Sequence, residues 1–348
     1  MSHPRARSLV AASIVFLTLL VAGTALPAPP TVEGAWSVQE RSSADGRVQL
    51  ELRRGRSGHR WSSSFPLPLA ELSGLTPEAL AGPPVKTRFS LRRDAGTFAF
   101  EGDLRDGEGS GRFTFTPDDG YVREMSSLGY ALEDGDQILS AAVHDVSRGF
   151  VRELSAVGYS KLEVDDLFAF RIHGVTPASI RELETLGYKA LPAEDLVAMR
   201  IHRATPDVIR ALGEAGFGGL SAESLVAFQI HRVSPTFLAA LKAAGVEATA
   251  DEAVALRIHG ATPEFLEALA RLGYRGVDAD DLVAMRIHGV TPEFIAGLQE
   301  LGYEHPTPDQ LVASRIHGVT KAFAVRMNAK RGAAYSLEDL VSLKIHRR

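Results

Sequence analysis

The sequence predicts an α+β chain that is mostly α: a small antiparallel β module followed by an α-solenoid of about eight 29-residue two-helix repeats. Three observations predict it. Seven histidines follow an isoleucine, at His173, His202, His231, His259, His288, His317 and His346, in steps of 29, 29, 28, 29, 29 and 29 residues. His144 follows Val143 one 29-residue step upstream. A Ser/Thr-Pro phrase and a glycine return with the same period, and residues 32–115 instead alternate apolar and polar side chains.

Taken in order, residues 1–25 have the grammar of a signal peptide. Arg5 and Arg7 precede an apolar run from Leu9 to Val21, and Ala22-Gly23-Thr24-Ala25 offers a cleavage site. An uncleaved anchor is the alternative, because Leu9 to Ala25 is 17 residues, at the short edge of spanning length. The expected location is periplasmic or extracellular, with membrane attachment only if that segment is retained.

Residues 32–115 are the β module. Val48, Leu50 and Leu52 alternate with polar neighbours, and Phe89-Leu91, Phe98-Phe100 and Phe113-Phe115 repeat the pattern. Asp94-Ala95-Gly96 and the run Asp106 to Gly111 are expected as loops, giving about six strands. Trp36 and Trp61 are expected on one face.

Residues 116–348 are the repeat array. Thr116-Pro117, Thr176-Pro177, Thr205-Pro206, Ser234-Pro235, Thr262-Pro263 and Thr291-Pro292 are expected helix starts, with Ser147 and Thr320 holding the cap in two more units. The hydroxyl caps an orphan N–H, and Pro at the first helical position loses no hydrogen bond. Each helix is expected to end at a left-handed glycine, from Gly129 to Gly302. A second helix begins acidic, complementing its dipole, and ends at the histidine. Its body, as in Leu282 to His288, is apolar on most sides, which predicts a helix sandwiched between its partner and adjacent units.

Net charge is −5, and residues from Thr116 onward carry 24 Lys plus Arg against 32 Asp plus Glu, a balance that argues against nucleic acid as partner. The absence of cysteine excludes disulfides and thiolate chemistry. The sequence has no His-Glu-x-x-His, Gly-x-Ser-x-Gly, P-loop or dinucleotide fingerprint, so a non-enzymatic chain without cofactor is expected.

Two ladders remain. The repeat histidines, His144 through His346, sit at helix ends where an imidazole suits a terminal carbonyl or the next cap, so they are expected to be structural. Zinc needs nitrogens about 2.0–2.1 Å away, whereas adjacent helices lie roughly 8–10 Å apart, so no metal is expected. Two residues before the histidines stand Arg171, Arg200, Gln229, Arg257, Arg286, Arg315 and Lys344. The cations of this row, Gln229 excepted, are the candidate partner-binding stripe; pairing with the acidic helix starts is the plainer reading.

The phrase Asp281-Leu282-Val283-Ala284-Met285-Arg286-Ile287-His288-Gly289-Val290-Thr291-Pro292-Glu293-Phe294, with Leu301-Gly302-Tyr303, resembles a repeat of uncharacterised exported bacterial proteins. It is also similar to repeats trailing some BlaR/MecR-type antirepressor membrane metallopeptidases. Arg92 to Phe98 and Gly111 to Phe115 resemble the β segment that accompanies them. The resemblance implies an extracytoplasmic sensing or binding module without the peptidase. The expected function is an exported, monomeric scaffold binding a protein or peptide. The alternative is a sensor holding an acidic small molecule, glycan or metal along the ladders.

Overall fold

The computed structural model describes residues 30–42, 46–56, 59–132 and 134–346; the signal segment expected at 1–25 lies outside them. Seven antiparallel strands form one sheet in the order β3-β2-β1-β7-β6-β5-β4. They are β1 (Val32–Ser42), β2 (Arg47–Arg56), β3 (His59–Pro68), β4 (Leu72–Ser73), β5 (Val85–Arg93), β6 (Gly96–Arg105) and β7 (Glu108–Pro117). The seventh strand is β4, whose two residues are too few to show alternation. A short helix α1 (Pro77–Ala81), capped by Thr76, follows it.

Alternation sends one set of side chains inward. The register pairs Phe98 with Phe115, Phe100 with Phe113 and Trp36 with Leu52, and all six side chains are almost fully buried. Each such burial stabilises the module by about 1.5–3 kcal/mol. The register also puts Trp61 on the face of Trp36, half-buried against the same core.

The run from Asp106 to Gly111, expected as a loop, is mostly strand. Only Asp106 and Gly107 turn, with φ of 51° and 86°, the two positive values of a type I′ hairpin. Glu108 to Gly111 continue β7. Glycine is needed there for close approach: a Cβ on Gly111 would lie 2.0 Å from the Glu101 carbonyl oxygen. That same carbonyl accepts the Trp36 indole N–H at 3.1 Å.

Eight helix pairs follow. They are α2 (Asp119–Ser127) with α3 (Gly135–Val143), α4 (Arg148–Ala156) with α5 (Val164–His173), α6 (Pro177–Thr185) with α7 (Ala193–Ile201), and α8 (Pro206–Glu214) with α9 (Ala222–Ile230). The rest are α10 (Pro235–Ala243) with α11 (Ala250–Ile258), α12 (Pro263–Arg271) with α13 (Ala279–Ile287), α14 (Pro292–Gln299) with α15 (Pro308–Ile316), and α16 (Lys321–Arg331) with α17 (Leu337–Ile345). Nine-residue helices are marginal in isolation and are held by their neighbours.

The caps form as expected from repeat two onward. Ser147, Thr176, Thr205, Ser234, Thr262, Thr291 and Thr320 each accept the N–H three residues on. Repeat one differs. Thr116 and Pro117 finish β7, paired with Thr97 and Gly96, and Asp118 is the cap. The spacing explains it: 11 residues separate cap and glycine in repeats two to seven, and 11 separate Asp118 from Gly129. The 28-residue step is a shortened connection between α10 and α11, six residues instead of the seven between α8 and α9.

Tyrosines after the glycines staple neighbouring repeats. The hydroxyls of Tyr159, Tyr188, Tyr274 and Tyr303 donate to the carbonyls of Leu191, Leu220, Pro306 and Tyr335 at 2.6–2.8 Å. Burial pushes the Tyr274 hydroxyl up to about 12. At the shortened connection Val246 replaces tyrosine, and the Gly276 N–H instead reaches the Ala244 carbonyl at 2.8 Å.

The β module is clamped to the first two repeats. The Arg148 backbone N–H donates to Asp94 at 2.9 Å, and its guanidinium lies 2.7 Å from Asp118 and 3.1 Å from Glu124. Arg93 pairs with Glu71 at 2.5 Å and Asp145 at 3.7 Å. The buried Tyr121 hydroxyl donates to the Val146 carbonyl at 2.8 Å.

Candidate interaction surface

The second helices of successive repeats pack side by side, α5 on α7, α7 on α9 and so on to α17. Six residues before its histidine each buries a leucine, except α11, which has Ala253; three before it, most bury Phe, Met or Leu: Leu196 and Met199, Leu225 and Phe228, Leu282 and Met285. The opposite side is not sandwiched, contrary to the expectation from its apolar sequence. Val197, Ala198 and Ile201, four and three residues apart, share that opposite face. Valine and alanine are half-buried there, and the isoleucine stands out. Ile172, Ile201, Ile230, Ile258, Ile287, Ile316 and Ile345 are 47–55 % exposed. Neighbouring helices leave grooves between them. The one between α15 and α17 holds about 410 Å³ and is lined by Ala313, Leu337, Val341 and Ile345.

One edge of this face is acidic. Asp165, Glu194, Glu223, Asp251, Asp280, Asp309 and Glu338 occupy the first turns and are exposed. Partial burial and the carboxylates of Asp309, Asp278 and Asp280 hold the Asp281 carboxyl above its ordinary range. Around Asp281 the neighbouring carboxylates disfavour a further negative charge.

Repeat one covers the same face. Leu139 and Val143 hold the valine and isoleucine positions and are 1 % and 5 % exposed. Their helix α3 packs against β7, and Val32 approaches its first residue, Gly135. Asp136, the acidic residue of that turn, pairs with Arg54 of β2.

The cation row is engaged with its own chain. Arg171, Arg257, Arg286 and Arg315 lie over the rings of Phe150, Phe237, Phe265 and Phe294 at 4.7–5.2 Å, and the Lys344 ammonium lies 4.4 Å from the Phe323 centroid. Arg171 and Arg286 also donate to the carbonyls of His144 and His259 in the preceding repeat, at 2.9 and 3.3 Å. A cation at that helix end complements the dipole. Arg257 donates to the Ala261 carbonyl at 2.7 Å. Among the described residues no ring lies beneath Arg200.

The histidines cap helices through their backbone. His144, His202, His231, His259, His288, His317 and His346 are the residues after the last turn, each N–H reaching the carbonyl four residues back at 2.9–3.0 Å. His173 ends α5 itself, followed by left-handed Gly174. Among the described residues only the His346 ring makes a hydrogen bond, through Nδ1 to the Ser342 carbonyl at 2.8 Å and the Ser342 hydroxyl at 3.3 Å. Burial, and secondarily Arg171, push His144 below its ordinary range. Among the described residues no three His, Asp or Glu side chains group to hold a metal.

The isoleucines are the feature that sequence reasoning missed. In the sequence they mark the period. Their spacing to alanine and valine, which defines a helix face distinct from the leucine-methionine face, is the signal that could have found them. No known family profile matches this chain, and no curated protein matches it either.

Proposed function

We propose that this protein is an exported, non-enzymatic scaffold whose second helices bind a protein or peptide through the isoleucine face. One observation carries the reading: seven isoleucines, one in each of repeats two to eight, stand about half exposed on a face of side-by-side helices. Contiguous exposed apolar surface of this kind favours a partner over solvent. Repeat one supports it, because there the matching positions are buried where the β module packs and an arginine meets the first-turn carboxylate. The partner that fits repeats two to eight has the same chemistry, an apolar ridge flanked by cations on the acidic side. Export rests on the basic and apolar N-terminal pattern, and the resemblance to repeats of antirepressor peptidases suggests envelope signalling.

The test is recovery of binding partners from an envelope extract. A triple variant, Ile201→Ser, Ile230→Ser and Ile258→Ser, should keep its helical signal and lose the partner. A second variant, Arg200→Glu, Arg257→Glu and Arg286→Glu, separates the cation row. If the isoleucine variant recovers the partner as well as the wild type does, the apolar face is not the binding surface.

A further inference from the structure

Repeat three holds an empty place where other repeats hold a ring. The third residue after the first-helix cap is aromatic in six repeats: Tyr121, Phe150, Phe237, Phe265, Phe294 and Phe323. In the last five of these the ring lies beneath the cation that precedes the histidine by two, 4.4–5.2 Å away. Repeat four changes both partners together, to Val208 and Gln229. Repeat three keeps the cation, Arg200, and puts Ser179 in place of the ring. The Ser179 hydroxyl turns back to its own cap, accepting the Thr176 N–H at 3.0 Å and donating to the Thr176 carbonyl at 2.8 Å.

Arg200 nevertheless holds the ladder position. One guanidinium nitrogen lies 3.2 Å from where a Cβ on Gly174 would be, matching Arg286 at Gly260 (3.0 Å) and Arg315 at Gly289 (3.2 Å). Among the described residues it makes no hydrogen bond, ion pair or ring contact. A cavity of about 230 Å³ opens beside it, walled by Leu183, Met199, Ala204 and Pro206. That exceeds the roughly 150 Å³ of an apolar cavity known to take benzene. Arg203, at φ 58°, stands on its rim where repeats two, five, six and seven have glycine.

We propose that this cavity binds an aryl ring, seated beneath Arg200 as phenylalanine is in the other repeats, with Arg203 favouring an anionic substituent. The ring comes from a free aryl acid or from an aromatic residue of a peptide. The proposal does not rest on the isoleucine face, and its test reads this cavity alone.

The full chain, labelled at its methionine methyls, is titrated with phenylacetate and separately with N-acetylphenylalaninamide. Met199 lines the cavity, whereas Met285, its counterpart in repeat six, lies where Phe265 already fills the place. At least one probe should shift the Met199 methyl saturably, on the order of millimolar for fragments of this size, and leave Met285 unmoved. Binding of phenylacetate alone identifies a free acid as the source, and binding of the amide alone a peptide. Cyclohexylacetate, with the charge but no π face, should bind roughly two- to fivefold more weakly than phenylacetate, the increment of an exposed cation–π pair. Ser179→Phe should fill the place and abolish the shift. Ser179→Val, a smaller change that copies Val208 of repeat four, should weaken binding if the larger ring disturbs folding. No Met199 shift with either probe, an equal shift at Met285, or undiminished binding to a folded Ser179→Phe chain would overturn the proposal.

Discussion

In repeat one, Leu139 and Val143 are 1 % and 5 % exposed; in repeats two to eight, the residue matching Val143 is an isoleucine exposed by 47–55 %. The helix pattern is the same in both regions, with an acidic first turn, an apolar body and a histidine end. What differs is a neighbour. The sheet lies against α3 and brings Arg54 to Asp136, whereas nothing in the described chain covers the face from α5 to α17. The comparison teaches that this face is suited to burial, and that its fate is set by what arrives rather than by its own sequence.

Four measurements break or sharpen that comparison. The largest effect is expected from Val143→Asp, which buries a charge at the junction and should cost about 3 kcal/mol or more. The matching Ile258→Asp should stay within about 0.5 kcal/mol. Both tryptophans lie in the β module, so tryptophan fluorescence in urea reports the junction while circular dichroism reports the helices. Equal midpoints for the two variants would erase the distinction between covered and open faces.

The next effect comes from the cation row. Arg286→Gln removes the contact with Phe265 and the donor to the His259 carbonyl, an expected loss of about 1–2 kcal/mol. Gln229→Arg, beside Val208, should give no comparable gain. Smaller still is Tyr274→Phe, which deletes one inter-repeat hydrogen bond for about 0.5–1.5 kcal/mol. Because the folded hydroxyl ionises near 12 against 10 when unfolded, wild-type stability should fall as pH rises from 10 to 12. A urea series at those pH values should show that slope flattened in Tyr274→Phe.

The smallest effect is expected at His144. Its pKa is lowered in the fold, so the unfolded chain binds the proton more readily and stability is lost as pH falls below the ordinary histidine range. His144→Gln should flatten the acid limb slightly in thermal melts between pH 7 and 5.

Much of the architecture was legible because caps, glycines and periods are local signals. Thr291 before Pro292 and Gly302 at the far end define a helix without reference to anything distant. The misplacements have non-local causes. Thr116-Pro117 matches the cap phrase, but its backbone is taken up by β6, so Asp118 caps instead. Gly109 and Gly111 look like loop residues, yet they are glycine because strands and Trp36 press against them. The candidate stripe repeats along the second helices, but the phenylalanines beneath Arg257, Arg286 and Arg315 come from the partner helix and turn the cations inward. That pairing left one trace in the sequence: Val208 and Gln229 change together.

The sequence by itself determined the period, the helix pairs and the alternating module, since each follows from backbone geometry within a few residues. Only the tertiary structure decided which of the two apolar sides of each second helix is buried. Both sides carry similar side chains, so composition is indifferent between them. The choice falls to packing against the partner helix, which takes the leucine and methionine side and leaves the isoleucines to solvent; only beside the sheet is the matching residue, Val143, covered.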